Sequence, residues 1–408
     1  MIKFLKDKCI ACGLCVDLCP TAALRLRADD VYLYPERCIN CGICVLKCPF
    51  EAIKSNQPVT FGIRDVRYQV TRACNFRCPH CFSESGQKFN HELSLSEAKK
   101  ICDKLIKNGM LTLTFTGGEP LLRKDFLLNL AEYLKNKGIS VKLFTNGYFL
   151  TRPVINRLKN LVDEVQMSVD GGERHHNEWR GGSDSWARIW SAVSYLAGAG
   201  LTKTIRFTVT SANYRQLPEV MRKCETKGVD VLKVRTVINK GRAEKSPRYL
   251  LNQESHYAES VGKLVNLRRT KNYVIQLLVP SYGFIYDEYL KKNPPGGIFK
   301  GCVSCRMGLM VALLPDGELK ACPYWPDKIG NLKTDSFSRV FNKLTEVVKP
   351  IIEIKKLAEP CAQCRYLTVC GGGCRANALN NNKSVNAPDP NCPLVINFIP
   401  PRRDKIYL

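Results

Sequence analysis

The stretch CNFRCPHC, residues 74–81, sets three cysteines at unequal gaps of three and then two residues. A structural zinc site or a complete ferredoxin-type cluster needs a fourth thiolate, and this local set stops short of one. Residues 66–72 just upstream read as a strand. Further strands are expected near 111–116, 140–145, 163–169, 203–209 and 231–236, with helices of 10–15 residues between them. One such helix, SLSEAKKICDKLIKNG (94–109), starts on a serine cap and ends on glycine. Six β-α units of this kind imply an α/β fold, a parallel sheet curled into an open barrel with its chemistry at the carboxyl ends of the strands. The cysteine loop follows the first strand, so it is expected at that mouth. Three thiolates bind three irons of a four-iron cluster and leave the fourth iron open to a small ligand, as catalytic metal sites require.

This loop, Cys74, Cys78 and Cys81, resembles the radical S-adenosylmethionine (SAM) superfamily. The resemblance implies a partial (β/α)6 barrel in which the methionine amino and carboxylate groups of SAM chelate the unique iron. An electron from the cluster then breaks the sulfonium bond and yields a 5′-deoxyadenosyl radical. TFTGGEP (114–120) closes the second strand and is similar to the family's GGEP loop. Gly117 and Gly118 there let backbone carbonyls approach the cofactor's amino group, Glu119 offers a carboxylate to its positive charge, and Pro120 completes the motif. A plain strand-to-helix turn explains the glycines but neither the acid nor the proline. LFTNGYFL and QMSVDGGERHHNEWR close the third and fourth strands. Ser168 is similar to a ribose-contacting serine of the family, and Arg180 keeps the register of its DG…HN..R pattern. Asn146 is a SAM contact or equally a turn residue; His175 and His176 are expected in a loop, without a ligand role.

An internal repeat precedes the barrel. CIACGLCVDLCPTAAL (9–24) recurs as CINCGICVLKCPFEAI (38–53), an offset of 29 residues. Each copy is the Cys-x2-Cys-x2-Cys-x3-Cys-Pro run in which the fourth cysteine ligates the other copy's cluster. Cys9, Cys12, Cys15 and Cys48 are thus expected to hold one cluster, and Cys38, Cys41, Cys44 and Cys19 the second. In a module of this size the crossed ligation also supplies folding energy. A zinc-ribbon pair needs two x2 pairs at a distance and leaves the repeated proline unexplained.

Near the carboxyl end, Cys305, Gly317 and Cys322 precede Cys361-x2-Cys364-x5-Cys370-x3-Cys374 and Cys392. This order resembles the SPASM domain, an appendage of radical SAM enzymes that holds two auxiliary clusters. The resemblance implies Cys305, Cys322 and Cys374 for the first, with Cys302 as fourth ligand, and Cys361, Cys364, Cys370 and Cys392 for the second. Zinc knuckles would use the same thiolates, and iron content separates the two. Five [4Fe-4S] clusters then account for nineteen cysteines and leave Cys102 and Cys224 as buried thiols on helices.

The implied organisation is a ferredoxin-like α+β module at 1–57, a barrel at 64–240, a motif-free bridge at 241–300, SPASM at 301–395 and a tail at 396–408. Composition agrees with a folded, multi-domain protein: 408 residues, 45% hydrophobic and 24% charged. Twenty-one cysteines in tight groups read as metal ligands, not as a disulfide framework. No apolar run approaches the ~20 residues that cross a bilayer, and MIKFLKDKC lacks a signal-peptide core, so a cytoplasmic location is expected. The formal charge of +25 falls to about +16 once the ligated clusters are counted. The excess is spread along the chain with no basic run interleaved with aromatics, which disfavours nucleic acid as partner.

Electron flow points to function. Hydrogen abstraction leaves a substrate radical, and fully ligated clusters near it are suitable acceptors if the product is oxidised. The ferredoxin module would connect the interior to an external low-potential electron donor or acceptor. The expected activity is oxidative modification of a peptide or protein side chain. The alternatives are a small anionic molecule (a tetrapyrrole carboxylate, a metal-pterin cofactor or a lipid) and, in another class, electron transfer alone, which has no use for CNFRCPHC and GGEP together. Sulfatase-maturating relatives carry an aspartate base directly after the Gly-x4-Cys cysteine. Here that position is Pro323, so formylglycine formation is disfavoured unless Asp327, Asp287 or another acid substitutes.

Overall fold

The computed structural model describes residues 2–9, 15–16, 19, 21, 23–27, 30–38, 40–48, 50–56, 62–249, 274–277, 307–352, 356–364, 367–392 and 395. Cys12, Cys302, Cys305, Asp287, the 396–408 tail and most of the expected bridge lie outside them.

At the amino end β1 (Ile2–Phe4) runs antiparallel to β4 (Ile53–Ser55), and β2 (Leu24–Arg27) forms a hairpin with β3 (Asp30–Leu33). The 29-residue repeat is visible in the hydrogen bonds. The Cys19 sulfur accepts the Ala23 amide at 3.2 Å, and the Cys48 sulfur accepts the Ala52 amide at 3.3 Å. Ile2, Leu24, Val31 and Ile53 pack with Cys15, Cys44 and Cys48 into one small core, so thiols make up a large part of what this module buries.

Beyond it the six expected strands form one parallel sheet in chain order: β5 (Asp65–Gln69), β6 (Thr112–Thr116), β7 (Ser140–Thr145), β8 (Glu164–Ser168), β9 (Thr202–Val209) and β10 (Val231–Thr236). A parallel strand covered on both faces would be apolar throughout. These strands alternate. Val66, Tyr68 and Val70 turn toward the helices with no exposure, as do Val141 and Leu143, Ile205 and Phe207, and Leu232 and Val234. Arg67, Gln69, Lys142, Arg206, Lys233 and Arg235 take the opposite phase and line a cavity. The helix Leu95–Lys107 begins with a full capping box between Ser94 and Glu97 and buries Ala98, Ile101, Cys102 and Leu105, the spacing of one helical face. Cys102 and Cys224 are fully buried.

The sheet is larger than six units predict. β11 (Val274–Leu277) adds in parallel beside β10, inside the segment read as a motif-free bridge. At the other edge β12 (Met310–Leu313) pairs in parallel with β5, and β13 (Glu318–Lys320) and β14 (Gly330–Asn331) continue antiparallel. The strand Met310–Leu313 was legible only as part of a cysteine array, because it is too short to show a period. The sheet thus runs unbroken from the barrel into the carboxyl-terminal segment, and Lys104 of the first barrel helix donates to the Leu332 carbonyl at 2.8 Å across that junction.

Candidate functional site

The cysteine loop after β5 lies against the GGEP loop after β6. The Gly118 amide donates to the Thr71 carbonyl and the Glu119 amide to the Ala73 carbonyl, both at 2.8 Å. A methyl group on Gly118 would stand 2.0 Å from the Ala73 oxygen, and one on Gly117, at φ +152°, 2.6 Å from the Thr71 oxygen. The glycines were expected to serve cofactor access; a nearer constraint is contact with the backbone that carries the cysteines. Pro120 opens the short turn that follows. Glu119 is fully buried, and its carboxylate accepts from the Leu121 amide (3.0 Å), the Thr145 hydroxyl (2.7 Å) and the Asn146 amide (2.8 Å). Burial pushes this carboxyl up to about 7 against the pull of those three bonds. Asn146 is a turn residue and a link at once. Its side-chain oxygen accepts the Tyr148 amide, while its nitrogen donates to Asn75 within CNFRCPHC at 2.8 Å.

On the far side of the loop, Arg180 forms an ion pair with buried Asp170 and directs its other terminal nitrogen at the Cys78 sulfur, 4.0 Å away. Burial opposes the charge of Asp170, but Arg180 and His80 more than offset it and hold the carboxyl at about 2. His80, the histidine of CNFRCPHC, accepts the Trp179 indole N–H at its Nδ1 (2.6 Å) and stands 3.5 Å from Asp170 through its Nε2. Burial lowers His80 to about 4 against the pull of Asp170. His175 and His176 are on the helix Glu173–Arg180, not in a loop. The Asp170-Gly-Gly turn read as loop continues into a helix capped at Gly172, and fully buried His176 accepts the Asp170 amide at 3.1 Å. Ser168 ends β8 at the same mouth, opposite Arg206 on β9.

Inside the barrel is a cavity of about 1380 Å³. Gly117 and Phe82 border it near the cysteine loop, Cys322, Pro323, Tyr324 and Cys374 border it from the carboxyl-terminal segment, and Cys19 and Arg37 from the amino-terminal module. Cysteines of the amino- and carboxyl-terminal groups therefore open onto one space, which the radical loop borders through Phe82. Pro323 lines it and carries no proton, whereas Asp327 is exposed. The charged lining residues Arg67, Arg206, Lys233 and Arg235 were missed from sequence. The signal was the polar phase of IRFTV and VLKVR, which reads equally as ordinary amphipathic alternation.

Several of the expected ligand thiols are near neighbours of one another. Burial pushes the Cys44 thiol up to about 12, with Cys41, Cys19 and Cys38 adding to the shift as near neighbours. This is the crossed set drawn from the repeat. Burial, then Cys392, Cys361 and Cys364, raises Cys370. Burial likewise takes Cys78 to about 12, and of its neighbours Arg180 opposes the shift while Cys81 and Cys74 add to it. Among the described residues no three His, Cys, Asp or Glu side chains close around a point suited to a single ion. Buried thiols of this kind ionise when ligated, so a positively charged iron core fits the donor sets.

The profile of the Radical SAM superfamily matches residues 68–224, and that of a 4Fe-4S dicluster domain matches residues 8–52. The mycofactocin maturase MftC of Mycolicibacterium smegmatis is 30% identical over 333 residues, which cover 80% of this chain and 81% of that one. This chain belongs to the radical SAM superfamily. The radical SAM protein is also 28% identical over 363 residues to the Fe-coproporphyrin III synthase of Methanosarcina barkeri, covering 80% of this chain and 87% of that one. Its fold matches the structure of Streptococcus suis SuiB bound to precursor peptide SuiA with a TM-score of 0.61 at 17% identity, over 81% of this chain and 75% of that one. It is a SAM-cleaving iron–sulfur enzyme with a dicluster module, and no helix among the described residues is long and apolar enough to cross a membrane.

Proposed function

We propose that this radical SAM enzyme is an oxidative maturase, which takes a hydrogen atom from a side chain of a peptide or protein held in the barrel. The cofactor supplies the 5′-deoxyadenosyl radical when bound; Cys74, Cys78 and Cys81 hold its cluster, and Gly117, Gly118, Glu119, Pro120, Asn146, Ser168 and Arg180 shape the pocket for SAM. The observation that carries the proposal is the shared cavity. Cys322 and Cys374 border the same space as Gly117, so a substrate there lies between the radical mouth and a candidate electron acceptor. The carboxyl-terminal cysteines then act as a SPASM domain with two auxiliary clusters, and the amino-terminal pair exchanges electrons with an external protein. Kinship with the mycofactocin maturase MftC supports the maturase reading.

A second substrate class, a tetrapyrrole carboxylate, is favoured by the cationic lining of the barrel and by the Fe-coproporphyrin III synthase relative. Anaerobic incubation with SAM, reductant and each substrate class separates them: mass loss of about two hydrogens per turnover on a peptide supports the maturase, and decarboxylation of a porphyrin supports the second.

A further inference from the structure

The barrel interior holds more positive charge than it neutralises. Arg67 pairs with Asp65 at 3.0 Å, and Lys142 and Lys233 share Glu164. Arg206 and Arg235 have no carboxylate partner among the described residues. Arg235 donates to the Tyr324 hydroxyl at 2.8 Å and lies over that ring, 4.2 Å from its centroid. Arg206 interacts with the same tyrosine, and burial together with Arg235 and Arg67 pulls it below the usual guanidinium range. Two guanidinium groups are thus gathered on one hydroxyl at the wall of a cavity, an arrangement that is costly until an anion joins it.

The place is also suited to orienting a substrate. The Tyr324 ring packs on Phe82, 4.8 Å between centroids, and Phe82 directly follows Cys81 of the radical loop. Tyr324 itself is two residues past Cys322, at the auxiliary side. Guanidinium forks match the two oxygens of a carboxylate, and a lysine in the same position would offer only a point charge.

We propose that Arg206, Arg235 and the Tyr324 hydroxyl form a carboxylate-anchoring subsite that fixes the substrate inside the barrel. The proposal rests on the view that this cavity is the substrate chamber. The carboxylate is either a tetrapyrrole propionate or a carboxylate of a peptide, and the geometry serves both.

The test uses the anaerobically reconstituted holoenzyme and reads binding by fluorescence and absorbance titration. The probes are coproporphyrin III against its tetramethyl ester, and a tetraglutamate peptide against its fully amidated form. At least one free acid is expected to bind, with its neutral partner at least about 10-fold weaker. Arg235→Gln and Arg206→Gln should each weaken that acid about 10- to 100-fold, the loss of a charge-assisted hydrogen-bonded pair, and leave the neutral partner unchanged. Arg235→Lys should restore only part of the loss. Iron content and the visible spectrum check that each variant is folded, and Tyr324→Phe, which keeps the ring, should cost several-fold. Binding of the porphyrin acid assigns the subsite to a propionate, and binding of the peptide acid alone assigns it to a peptide. Equal binding of acid and neutral forms, no binding of either acid, or arginine variants within twofold of wild type overturns the proposal. Reductive SAM cleavage by the wild type, measured in parallel, tests the underlying assignment separately.

Discussion

Arg180 holds Asp170 with one terminal nitrogen and presents the other to the Cys78 sulfur at 4.0 Å. A buried cation beside a ligating sulfur favours the reduced, more negative cluster. Replacing Arg180 with glutamine is therefore expected to lower the potential of that cluster by on the order of 100 mV. The double variant Arg180→Gln/Asp170→Asn removes both charges and should recover most of the drop. An EPR-monitored redox titration reads both, and an unchanged midpoint in the single variant would remove Arg180 from the electrostatics of the cluster.

Gly118 has backbone, not a flexible side chain, in the path of any added methyl, with the Ala73 oxygen 2.0 Å from the ideal position. Gly118→Ala should push the GGEP loop off the cysteine loop, destabilise the protein by about 1–3 kcal/mol and reduce 5′-deoxyadenosine formation at least tenfold. Iron at the other clusters should be retained. Full activity in this variant would show that the two loops need not touch.

Glu119 gives a pH dependence with a definite sign. Its carboxyl is raised by burial from 4.5 to about 7 in the folded protein. The folded state then binds more protons than the unfolded one across that window. Stability contributed by Glu119 is complete below pH 4.5 and is lost as pH rises through about 7, by roughly 3 kcal/mol. Glu119→Gln should flatten this slope in thermal midpoints measured without SAM between pH 5 and 8. Parallel pH profiles for wild type and variant would contradict the assignment.

Cluster removal separates the three cysteine groups. Reconstituted protein should bind about twenty irons, and a value near twelve would leave no SPASM clusters. Cys78→Ala should abolish 5′-deoxyadenosine formation and spare most of the iron. Cys12→Ala should keep dithionite-driven cleavage and impair turnover with a protein donor. Equal loss by both electron routes would make the amino-terminal module structural.

The sequence carried the barrel strands to within two or three residues, because the apolar phase of Val66, Tyr68 and Val70 or of Ile205 and Phe207 recurs between helices with clear stops. Thiol grouping was legible in part: Cys41 and Cys44 are near neighbours of Cys19 and Cys38, while Cys12, Cys302 and Cys305 lie outside the described residues. Three things were hidden. The short strands β11 and β12 have no period of their own and exist because the open edges β10 and β5 offer unpaired backbone. His80 and Trp179 meet across 99 positions, which no local pattern encodes. The cationic lining was visible residue by residue, yet only the packing of the carboxyl-terminal segment brings Tyr324 to both Arg206 and Arg235.

The most direct measurement mixes the reduced, oxygen-free holoenzyme with SAM and follows the cluster by EPR while assaying the products. Three thiolates at one iron–sulfur site predict a changed spectrum on binding and equal yields of methionine and 5′-deoxyadenosine, both absent in Cys78→Ala. A wild-type spectrum that SAM never perturbs, with no nucleoside released, would contradict the assignment of CNFRCPHC.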